Sequence, residues 1–178
     1  MRIVIITGLL CLAGLVCLAQ NDYSNFSQQS KRLNELAKQY APYAKLSSLT
    51  KTPGGKDIWM LVLGTGNTEA KPGIAIVGGV EGNHLLGTEL AIGFAENLLK
   101  ASGTDSVKNL LSGTSFYIFP NMSPDAMEQY FAPLKYARMG NASQTDDDRD
   151  GKLNEDGYDD LDGNGKITMM RIASPIGN

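Results

Sequence analysis

IAIVGGVEGNHLLGTELAIGFAENLLK, residues 74–100, carries two periods with a break between them. Ile74-Ala75-Ile76-Val77 is a short β-branched run, suited to a strand buried on both faces. Gly78-Gly79 breaks it. From about His84 to Lys100, Leu86, Leu90, Ile92, Phe94, Ala95, Leu98 and Leu99 form a broad apolar helical face, expected to pack against a sheet. In an open α/β sheet, ligands bind in the crevice beyond the carboxyl ends of the strands. Glu81 and His84, the single histidine of the chain, fall there. A carboxylate and an imidazole three residues apart are a candidate half of a metal site. A lone histidine is, however, more often a hydrogen-bonding residue of the scaffold.

Working outward, Phe116-Tyr117-Ile118-Phe119 reads as a second apolar strand, stopped by Pro120. Thr104 and Asp105 cap a shorter helix through Leu111, closed by Gly113. On the other side, Asp57 to Leu63 reads as a strand behind the Thr52-Pro53-Gly54-Gly55 turn. Leu33, Leu36, Ala37 and Tyr40 line one face of an earlier helix that Pro42 ends or bends. Apolar strands alternating with helices predict an α/β fold with a mixed or parallel sheet.

The whole chain has 178 residues, enough for one domain, and a net charge of −3. That charge gives no reason to expect nucleic acid or an anionic membrane as a partner. Arg2 followed by the apolar run Ile3–Ala19 reads as a signal peptide over residues 1–19, so the protein is expected to be secreted or periplasmic. Both cysteines, Cys11 and Cys17, lie inside that segment, and disulfides or thiolate chemistry are not expected after it.

Nine of the 19 acidic residues lie between Asp146 and Asp162. Asp146-x-Asp148-x-Asp150-Gly151 and Asp160-x-Asp162-x-Asn164-Gly165 repeat the opening of a calcium loop. Alternate side chains of a tight loop point at one centre, and the glycine permits its sharp turn. Hard oxygen donors suit calcium rather than zinc. The twelfth positions, Gly157 and Arg171, lack the glutamate of a complete EF-hand, for which Glu155, Asp156 or Asp159 could substitute. The competing reading is a solvated acidic surface loop.

The order KTPGGKDIWMLVLG, IAIVGGVEGNHLLGTELAIGFAENLL, FYIFPNMSPDAMEQY resembles the zinc carboxypeptidase family, carboxypeptidase A-like. Gly55-Lys56-Asp57-Ile58 matches its glycine–basic turn before a strand, and Ser123-Pro124-Asp125-Ala126 loosely matches its Asn-Pro-Asp-Gly motif. The family's Gly-Gly-x-His-x-x-Glu zinc motif corresponds to Gly78-Gly79-Val80-Glu81-Gly82-Asn83-His84, in which the two ligand types have traded places. Arg138 matches, by order, the arginine that stabilises the oxyanion. The resemblance implies a mixed-sheet α/β/α sandwich, incomplete at its C-terminus, over residues 20–178, with residues 145–168 as an acidic insertion. It implies a zinc metallocarboxypeptidase acting on peptide or protein C-termini, with Glu81 and His84 on zinc and Arg138 on the oxyanion. The family's third ligand, catalytic glutamate and carboxylate-fixing arginine find no counterpart before Asn178. An alternative is a calcium-stabilised, non-catalytic binding or structural module of the same fold.

Overall fold

The computed structural model describes residues 23–134, 138–154, 160 and 162–165. The expected signal segment, the candidate substitute ligands Glu155, Asp156 and Asp159, and residues 166–178 lie outside the described residues.

The chain enters on helix α1 (Phe26–Gln39), whose first turn is closed by a capping box. The Asn25 side chain accepts from the Gln28 amide, and the Gln28 side chain accepts in return from the Asn25 amide. Strands β1 (Ala44–Lys51) and β2 (Asp57–Leu63) follow as an antiparallel hairpin around the predicted turn. Next come β3 (Gly73–Val77), α2 (Leu85–Lys100), α3 (Asp105–Gly113), β4 (Ser115–Phe119) and α4 (Pro124–Phe131). The sheet order is β1-β2-β4-β3. β2 runs antiparallel to β4 and β3 runs parallel to it, so the sheet is mixed and α2 and α3 form the crossover between its parallel strands.

One face of the sheet holds the core. Leu61 and Leu63 of β2 stand opposite Ile118 and Phe116 of β4, and all four are buried. Ile92, Ala95 and Leu99 of α2, Leu33 and Leu36 of α1, and Leu111 of α3 close over them. The Trp59 indole reaches α1 through a 2.9 Å bond to Ser30 Oγ. Arg32 joins α1 to α2 by ion pairs to Glu89 at 2.6 Å and Glu96 at 3.0 Å. These glutamates of α2 therefore tie the two helices together.

Two local expectations need correction, and two elements, β1 and α4, were not anticipated. The β1 sequence AKLSSLTK is mostly polar because it is a half-exposed edge strand. β3 is the other edge rather than a strand buried on both faces. Ile74 and Val77 are exposed, since β4 flanks β3 on one side with no described strand on the other. The apolar face of α2 is also narrower than predicted. The stripe Thr88, Ala91, Ile92, Ala95 and Leu99 meets the core, whereas Leu86 and Leu90 project into solvent on another face.

Candidate metal centre

The site is built where the two parallel strands end. Gly78 and Gly79 turn the chain out of β3 between α2 and the segment after β4. A Cβ on Gly78 would stand 2.6 Å from the Gly87 carbonyl oxygen and 2.7 Å from that of Pro120. Gly79 has φ +54° and abuts Thr88 and Asn121. Backbone bonds sew this turn to the other strand end: the Gly78 amide donates to Phe119 O at 2.8 Å, and the Ser123 amide to Gly79 O at 2.9 Å. The Ser123 hydroxyl donates to Val80 O at 2.5 Å, and Gly82 lies directly on Ala126 and Met127 of α4. The loop from Gly78 to Gly82 is thus clamped by the N-terminus of α4.

Glu81 and His84 stand on this clamped loop. His84 is the N-cap of α2, and its amide donates to Glu81 O at 3.0 Å. That turn brings His84 Nδ1 to 3.2 Å from Glu81 Oε2, with side chains 69% and 48% exposed. Two ligands of a tetrahedral zinc, each about 2.0–2.1 Å from the ion, stand roughly 3.4 Å apart. The donor types and their separation therefore fit two adjacent zinc positions. The traded order of the motif does not prevent convergence, because the turn, not the order, sets the distance. With one histidine in the chain and both cysteines within its first 19 residues, any further protein ligand after them must be an oxygen donor.

Among the described residues no hydrogen bond or ion pair joins Arg138 to this pair. Its Nε donates to Gly140 O at 3.2 Å and its Nη2 to Asn141 O at 2.5 Å, so the guanidinium folds onto its own segment. It lines a cavity of about 380 Å³ with Lys56, Asp125, Glu128, Phe131 and Ala142.

The residue that sequence reasoning left without a role is Asp125, which is only 4% exposed. Its Oδ1 accepts from the Thr52 hydroxyl at 2.8 Å, and its Oδ2 from the Gly54 amide at 3.1 Å and the Ala142 amide at 3.0 Å. Lys56 Nζ stands 3.8 Å away and pairs with Glu128 at 3.1 Å. Burial would raise the Asp125 pKa, but the Ala142 amide, the Thr52 hydroxyl, the Gly54 amide and the Lys56 charge outweigh it. The group is held below its usual 3.8. A proline that opens α4 with an acid directly behind it is ordinary helix-start chemistry, so nothing local announces this burial.

The acidic loops share one geometry. Asp146, Asp148 and Asp150 place carboxylate oxygens within 4.8 Å of one another. The Asp150 and Gly151 amides donate to Asp146 at 3.2 and 3.0 Å. In the later loop the Asn164 and Gly165 amides donate to Asp160 at 3.1 and 2.7 Å, with Asp162 accepting from the same Asn164 amide. The Gly165 amide leads the interactions that hold the Asp160 pKa down. The fourth and sixth positions of both loops, Arg149, Gly151, Gly163 and Gly165, are left-handed.

Comparison with known proteins agrees with this architecture. The family profile described as zinc carboxypeptidase matches residues 30–165. Carboxypeptidase M of Mus musculus is 29% identical over 112 residues, which are 61% of this chain and 25% of that protein. Bovine thrombin-activatable fibrinolysis inhibitor, solved with tick carboxypeptidase inhibitor, superposes with a TM-score of 0.57 at 15% identity, over 74% of this chain and 40% of that one. Carboxypeptidase A of Helicoverpa armigera gives a TM-score of 0.56 at 18% identity, over 62% and 27% of the two chains. At such identities these structures speak to the fold alone. The chain spans a quarter or less of the length of the first curated relatives it matches.

Proposed function

This chain belongs to the zinc carboxypeptidase family, and on that premise we propose that it forms part of a secreted or periplasmic metallocarboxypeptidase. The substrate is a peptide or protein, cut near its C-terminus. The observation that carries the reading is the 3.2 Å convergence of Glu81 Oε2 and His84 Nδ1 beyond the carboxyl ends of two parallel strands.

Zinc held there would supply Lewis-acid polarisation of the scissile carbonyl and acidify a water. Glu81 and His84 provide two of its ligands, and their exposure leaves the outer side of the site open to a peptide. Arg138 donates to the developing oxyanion once it releases the carbonyls of Gly140 and Asn141. Glu89 and Glu96 are committed to Arg32 and do not serve as the general base. Among the described residues no third ligand and no general base is assigned. Secretion rests on Arg2 and the apolar run behind it.

Calcium is assigned to the two acidic loops, through Asp146, Asp148 and Asp150 and through Asp160, Asp162 and Asn164. The close approach of the first three carboxylates supports this. A bound dication would relieve the repulsion among them. Calcium is expected to protect the Arg149 and Lys152 bonds from trypsin, and chelation to expose them.

The deciding experiment is a zinc titration of the metal-free chain followed by thermal unfolding, beside the double variant Glu81→Gln/His84→Asn. Zinc is expected to stabilise the parent and not the variant. Equal stabilisation of both would place the metal elsewhere and overturn the assignment. Release of one C-terminal residue from a free, but not an amidated, peptide by the protein as its own cell makes it tests the activity.

A further inference from the structure

We infer that Asp125 is a positioning residue: one buried carboxylate fixes the Arg138–Ala142 segment to the same helix end that clamps the Glu81 loop. The inference rests on the reading of Glu81, His84 and Arg138 as parts of one site. Three pieces of chain distant in sequence meet on this side chain, namely the β1–β2 turn at Thr52 and Gly54, the start of α4, and Ala142. Gly54 lies so close that a Cβ would collide with the carboxylate, so the turn is shaped to admit it.

The mechanical chain has two links. Ser123 binds Val80, and Gly82 packs on Ala126 and Met127, so the first turn of α4 holds the loop that presents Glu81 and His84. Asp125, in that same turn, holds Ala142, four residues beyond Arg138. Arg138 is itself tied to Gly140 and Asn141, so its guanidinium moves with the segment that Ala142 anchors. The described segment from Arg138 to Ala142 has no helix or strand to hold it, and among the described residues the Ala142–Asp125 bond ties it to α4. A carboxylate suits the post because it accepts only. Its Oδ2 takes two backbone amides while Oδ1 takes the hydroxyl.

The test measures the relation between the two halves. Nitroxide labels are placed at the exposed positions Val80 and Met139 through cysteine, with Cys11 and Cys17 replaced by serine, and distances are read by pulsed electron resonance. The parent is expected to give one narrow distance distribution. Ala142→Pro removes the amide donor, fixing φ there as well, and is expected to broaden it at least twofold, with amide protection in β2 and β4 unchanged. Asp125→Ala should do the same, and Ala142→Pro decides alone if Asp125→Ala fails to fold. A narrow distribution retained in Ala142→Pro, or a parent already as broad, would overturn the inference. Zinc titration of the labelled parent keeps the two readings apart. A narrow distribution without zinc binding sinks the metal assignment and leaves the positioning role standing.

Discussion

Two carboxylates separate scaffold from site in this protein. Asp125 is 4% exposed and accepts from two amides and a hydroxyl drawn from the β1–β2 turn and from Ala142. Glu81 has a half-exposed side chain and meets His84, three residues away. Both sit within the same clamp around the start of α4. The first holds backbone together. The other is held by backbone and keeps its oxygens toward solvent. Removing a buried acceptor leaves three part-buried donors without their partner, whereas removing an exposed partner costs little. The contrast is therefore measurable as stability against binding.

The largest effect is expected for Asp125→Ala, which strands the Thr52, Gly54 and Ala142 donors and takes one of two carboxylates from Lys56. A loss of about 3 kcal/mol is expected from urea unfolding, within the range for breaking a buried charged network. Gly78→Ala comes next, at roughly 2 kcal/mol, because its Cβ would meet two backbone oxygens that cannot swing aside. The acid limb of stability should follow Asp125. Its folded pKa lies below 3.8, so its contribution is present above that value and is lost as pH falls through the folded pKa. Asp125→Ala should flatten that limb in pH-dependent unfolding.

His84→Ala in the metal-free chain should change stability by less than about 0.5 kcal/mol, the usual span for exposed positions. The same change should abolish zinc stabilisation. A His84→Ala cost as large as that of Asp125→Ala would break the comparison and make the pair part of the scaffold. The smallest effect belongs to Thr88→Val. Among the described residues the buried Thr88 hydroxyl has no hydrogen-bond partner, so its replacement by a methyl should be near neutral or slightly stabilising in the same unfolding assay.

Much of the fold was legible because its signals are local. Strands β2 and β4 and helices α1, α2 and α3 follow from apolar spacing, glycine, proline and caps. β1 escaped notice because an edge strand need not be apolar, and its bulge at Ser48–Thr50 interrupts any alternation. β3 was legible as a strand and misread in burial, because burial depends on which strands flank it. Of the candidate site residues, Glu81 and His84 do meet, because a single turn separates them. Arg138 could be named by order, but its present hydrogen bonds could not.

Sequence alone determined β2, β3, β4 and the first three helices, the position of the Glu81–His84 pair between a strand and a helix, and the repeated acidic loops. Each depends on contacts between residues a few positions apart. Only the tertiary structure decided that β3 is an edge among the described strands, that Arg138 turns onto its own segment, and that Asp125 gathers three distant donors. Asp125 binds partners 71, 73 and 17 residues away. Hydrogen bonds across such separations leave no periodicity in the chain, because the fold, not the spacing, brings the groups together.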